Sequence, residues 1–213
     1  MFIIKVILIS LYIILLFIPG YTIARNSDVL QGIFSLNDPT VVYFFLRLAA
    51  LYGITLLFIQ LILGAFMQPL TRVFPGLLRW HMVEGIITYG IILAHPMLYT
   101  IYTYETIGIF NPLVTLWPNF SVQNEFYISF GRVSLYLLTI GILAGLFRRS
   151  SFLSRHWRKF HILNYIVFVL VLWHSWNIGS DTHATPFVFL YPIFIAGLLV
   201  SLSYRRIYRV LKR

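Results

Sequence analysis

The segment HMVEGIITYGIILAH, residues 81–95, begins and ends on histidine and is otherwise almost wholly apolar. It lies within a longer oily run over 79–103, and a helix needs about 20 such residues to cross about 30 Å of hydrocarbon. Five further runs of this kind occur at 2–24, 41–66, 126–147, 159–178 and 186–204. They are continuous in Leu, Ile and Phe rather than alternating, which excludes an outer-membrane barrel. With 213 residues, 60% of them hydrophobic and only 10% charged, the chain reads as an all-α integral membrane protein. The expected architecture is one domain spanning residues 1–213, a bundle of six transmembrane helices.

The net charge of +10 is distributed by topology. Thirteen of the sixteen basic residues fall at one end of the runs: Lys5, Arg72, Arg79, Arg148, Arg149, Arg155, Arg158, Lys159, Arg205, Arg206, Arg209, Lys212 and Arg213. The loops at the other end hold Asp28, Asp38, Glu105, Glu125 and Asp181, with Arg25 alone in opposition. This positive-inside pattern sets both termini in the cytoplasm. The basic loops therefore mark topology and anionic-lipid contact, not a nucleic-acid surface. The first run is too long for the apolar core of a signal peptide, and its removal would spoil the charge alternation, so it is retained as a span.

No cysteine is present, which excludes disulfides, cysteine-ligated iron–sulfur clusters and covalent haem attachment. No glycine-rich dinucleotide or phosphate fingerprint occurs either, so FAD or NAD(P)H chemistry would have to come from a separate partner protein.

Six histidines remain: His81, His95, His156, His161, His174 and His183. His156 and His183 are expected in loops as solvated residues. The other four lie in the third and fifth runs, which cross in the same direction. His95 rises about 21 Å above His81, and His174 about 20 Å above His161. The imidazoles thus form two layers at matching depths, the layout needed by two iron porphyrins stacked across a membrane with paired axial histidines. A lone intramembrane histidine is more often a proton relay or a hydrogen-bonded packing residue; two matched pairs favour the porphyrin reading. One angle resists it. Fourteen residues return His95 to within roughly 40° of the His81 face, but thirteen leave His174 about 140° from His161. Either the fifth helix departs from ideal winding or the two layers are approached from different sides, and an irregularity is expected.

The segments LLRWHMVEGIITYGIILAHPMLY (77–99) and HWRKFHILNYIVFVLVLWHSW (156–176) resemble the third and fifth helices of the ferric-reductase-like transmembrane domain. That superfamily includes the NADPH oxidases, the ferric reductases and the bacterial YedZ/MsrQ haem subunits. The spacing H-x13-H followed by H-x12-H and the W-x-x-[LF]-H element at Trp157–His161 carry the resemblance, which extends over nearly the whole chain. It implies haem b bound between the third and fifth helices, His81 and His161 ligating an inner haem iron and His95 and His174 an outer one. The size resembles the stand-alone MsrQ type, whereas the full histidine quartet is closer to the two-haem reductases. Tyr99 stands where the oxidases carry a further histidine.

Arg47 and Arg132 fall within the second and fourth runs, each roughly 9 Å below the outer boundary, near the His95/His174 layer. Haem propionates would satisfy them bidentately, and two arginines at one level favour that shared explanation over the alternative of snorkelling to headgroups. Glu84, the one acid inside a span, must be protonated, paired or wet. Phe168 lies midway between the layers, and Gly141 and Gly145 form a G-x-x-x-G pair suited to close helix packing, a comment that extends to Gly85 and Gly90.

Taken together, these residues imply a bacterial inner-membrane di-haem cytochrome b, an oxidoreductase component in electron transport. A cytoplasmic flavin reductase or quinol would be the donor. The acceptor would be ferric iron, oxygen or a periplasmic partner such as a methionine sulfoxide reductase. The alternatives are a single-haem subunit of the MsrQ type, a haem-free proton channel or transporter using the same histidines, and a structural subunit.

Overall fold

The computed structural model describes residues 2–26 and 39–211. Asp28, Asp38, Lys212 and Arg213 lie outside the described residues. Among the described residues eight α-helices follow one another: α1 (Phe2–Asn26), α2 (Pro39–Ala65), α3 (Met67–Val73), α4 (Leu77–Ile107), α5 (Pro112–Leu116), α6 (Gln123–Leu146), α7 (Ser151–Ile178) and α8 (Leu190–Leu211). Six of them, all but α3 and α5, are long and apolar enough to cross a membrane. The chain is thus an integral membrane protein, all-helical over the described residues. Successive long helices run in opposite directions, so the connections gather at two ends. The basic pole carries residues 66–76 and 147–150; the acidic pole carries 108–122 and 179–189.

Hydropathy located the spans but clipped their ends, because several helices continue past the hydrocarbon. The α4 helix runs on to Ile107 and stops at Gly108, whose φ of 71° is the left-handed value that glycine adopts without a steric penalty. The α7 helix starts at Ser151, eight residues earlier than expected, where the Ser150 hydroxyl caps it by accepting from the Leu153 amide. His156 therefore lies on a helix, not in a loop, and is only partly exposed. The short α3 and α5 were not anticipated; seven and five residues are too few for a periodic signal.

Helix α2 is the most buried of the spans and forms the centre of the bundle. Its Phe58 packs against Phe194 of α8 (ring centres 4.9 Å apart) and Phe168 of α7 (5.9 Å). Ile54, Leu57, Leu61, Val167, Phe187 and Tyr191 extend this cluster. Phe168 is fully buried here and acts as packing. Lipid is as apolar as leucine, so association among these helices depends on close contact rather than escape from water. Glycine supplies that contact selectively. A Cβ at Gly141 would lie 2.6 Å from Oδ1 of Asn164 on α7, and one at Gly85 3.3 Å from Gln60 on α2, whereas Gly145 and Gly90 face nothing within 4 Å.

Gly197 gives the sharpest test. A Cβ there would meet the Phe58 ring at 2.5 Å, and that ring is locked in the aromatic cluster. Gly197→Ala is expected to destabilise the fold by about 1–3 kcal/mol. Gly145→Ala, with open space, is expected to be neutral or stabilising by up to about 1 kcal/mol. Thermal melts of the two variants in one detergent compare them directly.

Candidate functional site

The structure brings the four span histidines together as two pairs. Near the acidic pole, His95 of α4 and His174 of α7 line one cavity of about 290 Å³ enclosed by α2, α4, α6 and α7. Nδ1 of His95 lies 3.1 Å from the Leu46 carbonyl, and Nδ1 of His174 lies 3.0 Å from the Tyr127 carbonyl. A carbonyl can only accept, so each Nδ1 carries the proton and each Nε2 keeps a free lone pair. This is the arrangement in which a metal-ligating histidine is oriented from behind.

Both carbonyls belong to helices, and their exposure has a local cause. The side chain four residues further along a helix would normally shield such a carbonyl. Ala50 follows Leu46 at that interval, and Gly131 follows Tyr127. A Cβ on Gly131 would stand 2.9 Å from Cε1 and 3.0 Å from both nitrogens of His174. Glycine at 131 thus makes room for the imidazole.

Near the basic pole, His81 of α4 and His161 of α7 face each other with ring centres 6.2 Å apart and planes at 83°. Two imidazoles trans on one first-row metal, at about 2 Å per metal–nitrogen bond, would hold their centres roughly 6 Å apart. The cleft between them is far smaller than the other cavity, about 50 Å³, and is bordered by Gln60, Gly64, Asn164, Tyr165 and Arg205. Unpartnered buried atoms concentrate around it: Nδ1 of His81, Nδ1 of His161, Oδ1 of Asn164 and Oε1 of Glu84, with Oγ of Ser201 one turn before Arg205. Gln60 ties this region together, donating from Nε2 to Oε2 of Glu84 at 2.8 Å and to the His81 carbonyl at 3.1 Å. Glu84 is therefore paired with an amide through one oxygen only.

The expected irregularity between His161 and His174 is absent: α7 is unbroken α-helix from Ser151 to Ile178. The rotation of about 140° between them is used rather than corrected. His161 points towards α4 and the α8 residue Arg205, and His174 towards α4 and the α6 residue Gly131. Each layer is thus built against a different neighbour.

Arg47 and Arg132 border the larger cavity, but their first partners are protein carboxylates, not a propionate or a headgroup. Arg47 forms a two-pronged pair with Asp181, its Nε donating to Oδ2 at 2.6 Å and its Nη2 to Oδ1. Arg132 donates to Oε2 of Glu125 at 2.5 Å and to the carbonyls of Thr115 (2.6 Å) and Trp117 (2.9 Å). Asp181 comes from the acidic-pole connection after α7, a pairing that spacing could not foretell, whereas Glu125 lies on α6 itself, seven residues or about two turns before Arg132. His183 caps the Trp176 carbonyl from outside the layers, at 2.9 Å. Gln60, Asn164, Arg205 and Gly131 were missed as site residues. The amides carried a legible signal, being polar groups inside spans, and Asn164 stands three residues from His161 on a shared face.

No group of three or more His, Cys, Asp or Glu side chains suited to a metal occurs among the described residues. A metal held by either pair would need its remaining ligands from outside the protein, as in a porphyrin. Comparisons with protein-family models, with curated proteins and with solved structures return no match.

Arg47 and Asp181 are both largely shielded from solvent. Arg47→Ala is expected to cost about 3–5 kcal/mol of stability by leaving the carboxylate buried alone. Arg47→Ala/Asp181→Ala should recover much of that loss, and a double-mutant cycle in thermal or denaturant unfolding measures the coupling.

Proposed function

We propose that this chain is a membrane cytochrome b of the ferric-reductase-like kind, moving electrons between a donor at the basic pole and an acceptor at the acidic pole. The facing of the imidazoles in two layers carries the reading. His95 and His174 would ligate one haem iron and His81 and His161 another, four histidines in total. When bound, haem supplies one-electron iron chemistry, and histidine on both faces favours outer-sphere transfer over reaction at the metal. The protein holds the depth and orientation of each site. At the larger cavity, the Leu46 and Tyr127 carbonyls fix the imidazoles with Nε2 inward, and Gly131 leaves the ring space to turn. At the smaller cleft, the ring separation of 6.2 Å supports the same role.

The positive-inside rule places the basic pole in the cytoplasm and suits a bacterial inner membrane. A flavin reductase docking on the basic loops, or a quinol, would then be the donor. Ferric iron, oxygen or a periplasmic reductase would be the acceptor. The contrast in free volume, about 50 against about 290 Å³, favours one second reading: a single-haem protein of the MsrQ type, loaded only at the His95/His174 layer.

Oxidised and dithionite-reduced spectra of the purified protein, with haem quantified per polypeptide, test both readings. Two haems are expected with ample porphyrin supply and one when haem is limiting. His95→Ala or His174→Ala should abolish the haem retained under limitation, whereas His81→Ala or His161→Ala should spare it. A colourless preparation from haem-replete cells overturns the proposal and leaves a proton relay as the better account of the histidines.

A further inference from the structure

The acidic-pole connection between α4 and α6 has an unusual composition and an unusual position. From Thr106 to Asn124 it holds nineteen residues and no charge. It also presents large apolar side chains: Leu113 is 78% exposed and Trp117 75% exposed, with Phe110 also well exposed. A solvated loop of this length would carry polar and charged side chains and keep its carbonyls in water.

Instead, α6 caps those carbonyls. The short helix α5 ends at Leu116, and the last carbonyls of any helix lack partners within it. Here Arg132 donates to the Thr115 and Trp117 carbonyls, at 2.6 and 2.9 Å, and the Tyr136 hydroxyl donates to the Leu116 carbonyl at 2.8 Å. Further along, the Ser129 hydroxyl donates to the Asn119 carbonyl at 2.9 Å and accepts from the Asn119 amide at 2.6 Å.

These donors fix the depth of the segment. Helix α6 is about 36 Å long from Gln123 to Leu146, and Ser129, Arg132 and Tyr136 stand about 9, 13 and 20 Å along it. A hydrocarbon layer about 30 Å thick, centred on this helix, begins about 3 Å in from each end. Side chains on a helix lean towards its N-terminus, here the acidic pole. Even allowing for that lean, residues 115–117 sit within the layer rather than above it. Irregular backbone survives at such depth only where protein satisfies its polar groups, and three consecutive carbonyls are satisfied here from one helix face.

We propose that residues 108–122 form a re-entrant segment seated in the acidic-pole leaflet, with the exposed apolar face of Leu113 and Trp117 in contact with lipid. Arg132 is its tether, held in turn by Glu125. Thr115 and Leu116 also border the larger cavity, so the segment walls that cavity off from the leaflet. The inference does not depend on what the cavity holds.

The absence of native cysteine allows a direct test. The full chain carrying Leu113→Cys is labelled with a nitroxide and reconstituted in nanodiscs of phosphatidylcholine and phosphatidylglycerol. Collision rates are then read with oxygen, which concentrates in hydrocarbon, and with a water-soluble nickel chelate. Labels at Leu143→Cys on the exposed face of α6 and at Glu105→Cys provide lipid and water references. The Leu113 label is expected to favour oxygen as the Leu143 label does. Adding Tyr136→Phe, which removes one carbonyl cap without disturbing the core, should lower its oxygen-to-nickel ratio by about twofold or more, as the uncapped backbone moves towards water. A Leu113 label behaving like the Glu105 label overturns the proposal. So does a label shielded from both reagents, which would mean a protein surface covers this face, and so does a ratio indifferent to Tyr136→Phe.

Discussion

Two hydrogen bonds from imidazole to helix backbone organise this molecule. A helix carbonyl already accepts from the amide four residues on, yet it has a second lone pair, and His95 and His174 each take one. In hydrocarbon such a bond removes an otherwise costly unpaired N–H, and it also decides which ring nitrogen remains free. The small residues Ala50 and Gly131 follow from this requirement, since a larger side chain at either place would cover the carbonyl. The cavity lies where it does because the two rings are held back against neighbouring helices, His95 of α4 against α2 and His174 of α7 against α6, leaving the space between them open.

The two poles answer the cost of buried polarity differently. At the acidic pole, nearly every polar group near the cavity is matched: arginine with carboxylate, loop carbonyl with guanidinium or phenol, imidazole with backbone. At the basic pole, amide, carboxyl and imidazole atoms are brought into one cleft and several are left unpaired. An unpaired buried polar atom is unfavourable by roughly 1–3 kcal/mol, so a cluster of them marks a place whose composition is set by something other than stability of the helices alone. That asymmetry separates a well-formed cavity from a tight and polar one, although both are built from the same pair of helices.

Much of this was legible in the sequence, for identifiable reasons. Continuous apolar runs fixed the number of spans, because bilayer thickness imposes a length that few other structures share. The pairing of His81 with His161 and of His95 with His174 followed from rise per residue alone. Part of what escaped depends on chain returning from a loop. Asp181 reaches Arg47 from a connection whose course has no periodicity, whereas Glu125 and Arg132 stand seven residues apart on one helix, a spacing that was legible once α6 is extended back past residue 126. The cleft residues Gln60 and Arg205 come from helices whose rotation about their own axes is set by tertiary contact. Helix α7 shows the limit most clearly: the angle between its two histidines was calculated correctly, but the inference of a distorted helix was wrong, because the neighbouring helices differ from one layer to the next.

The offset of those two rings around a straight α7 has a consequence for how the molecule can vary. One layer is completed by α6 and the other by α8, so neither depends on a side chain that the other needs from those flanking helices. Sequence drift along α8 can alter the surroundings of His161 while leaving those of His174 untouched, and a change at Gly131 on α6 can do the reverse. A pair of sites on a common scaffold is thereby open to separate adjustment, one histidine neighbourhood at a time.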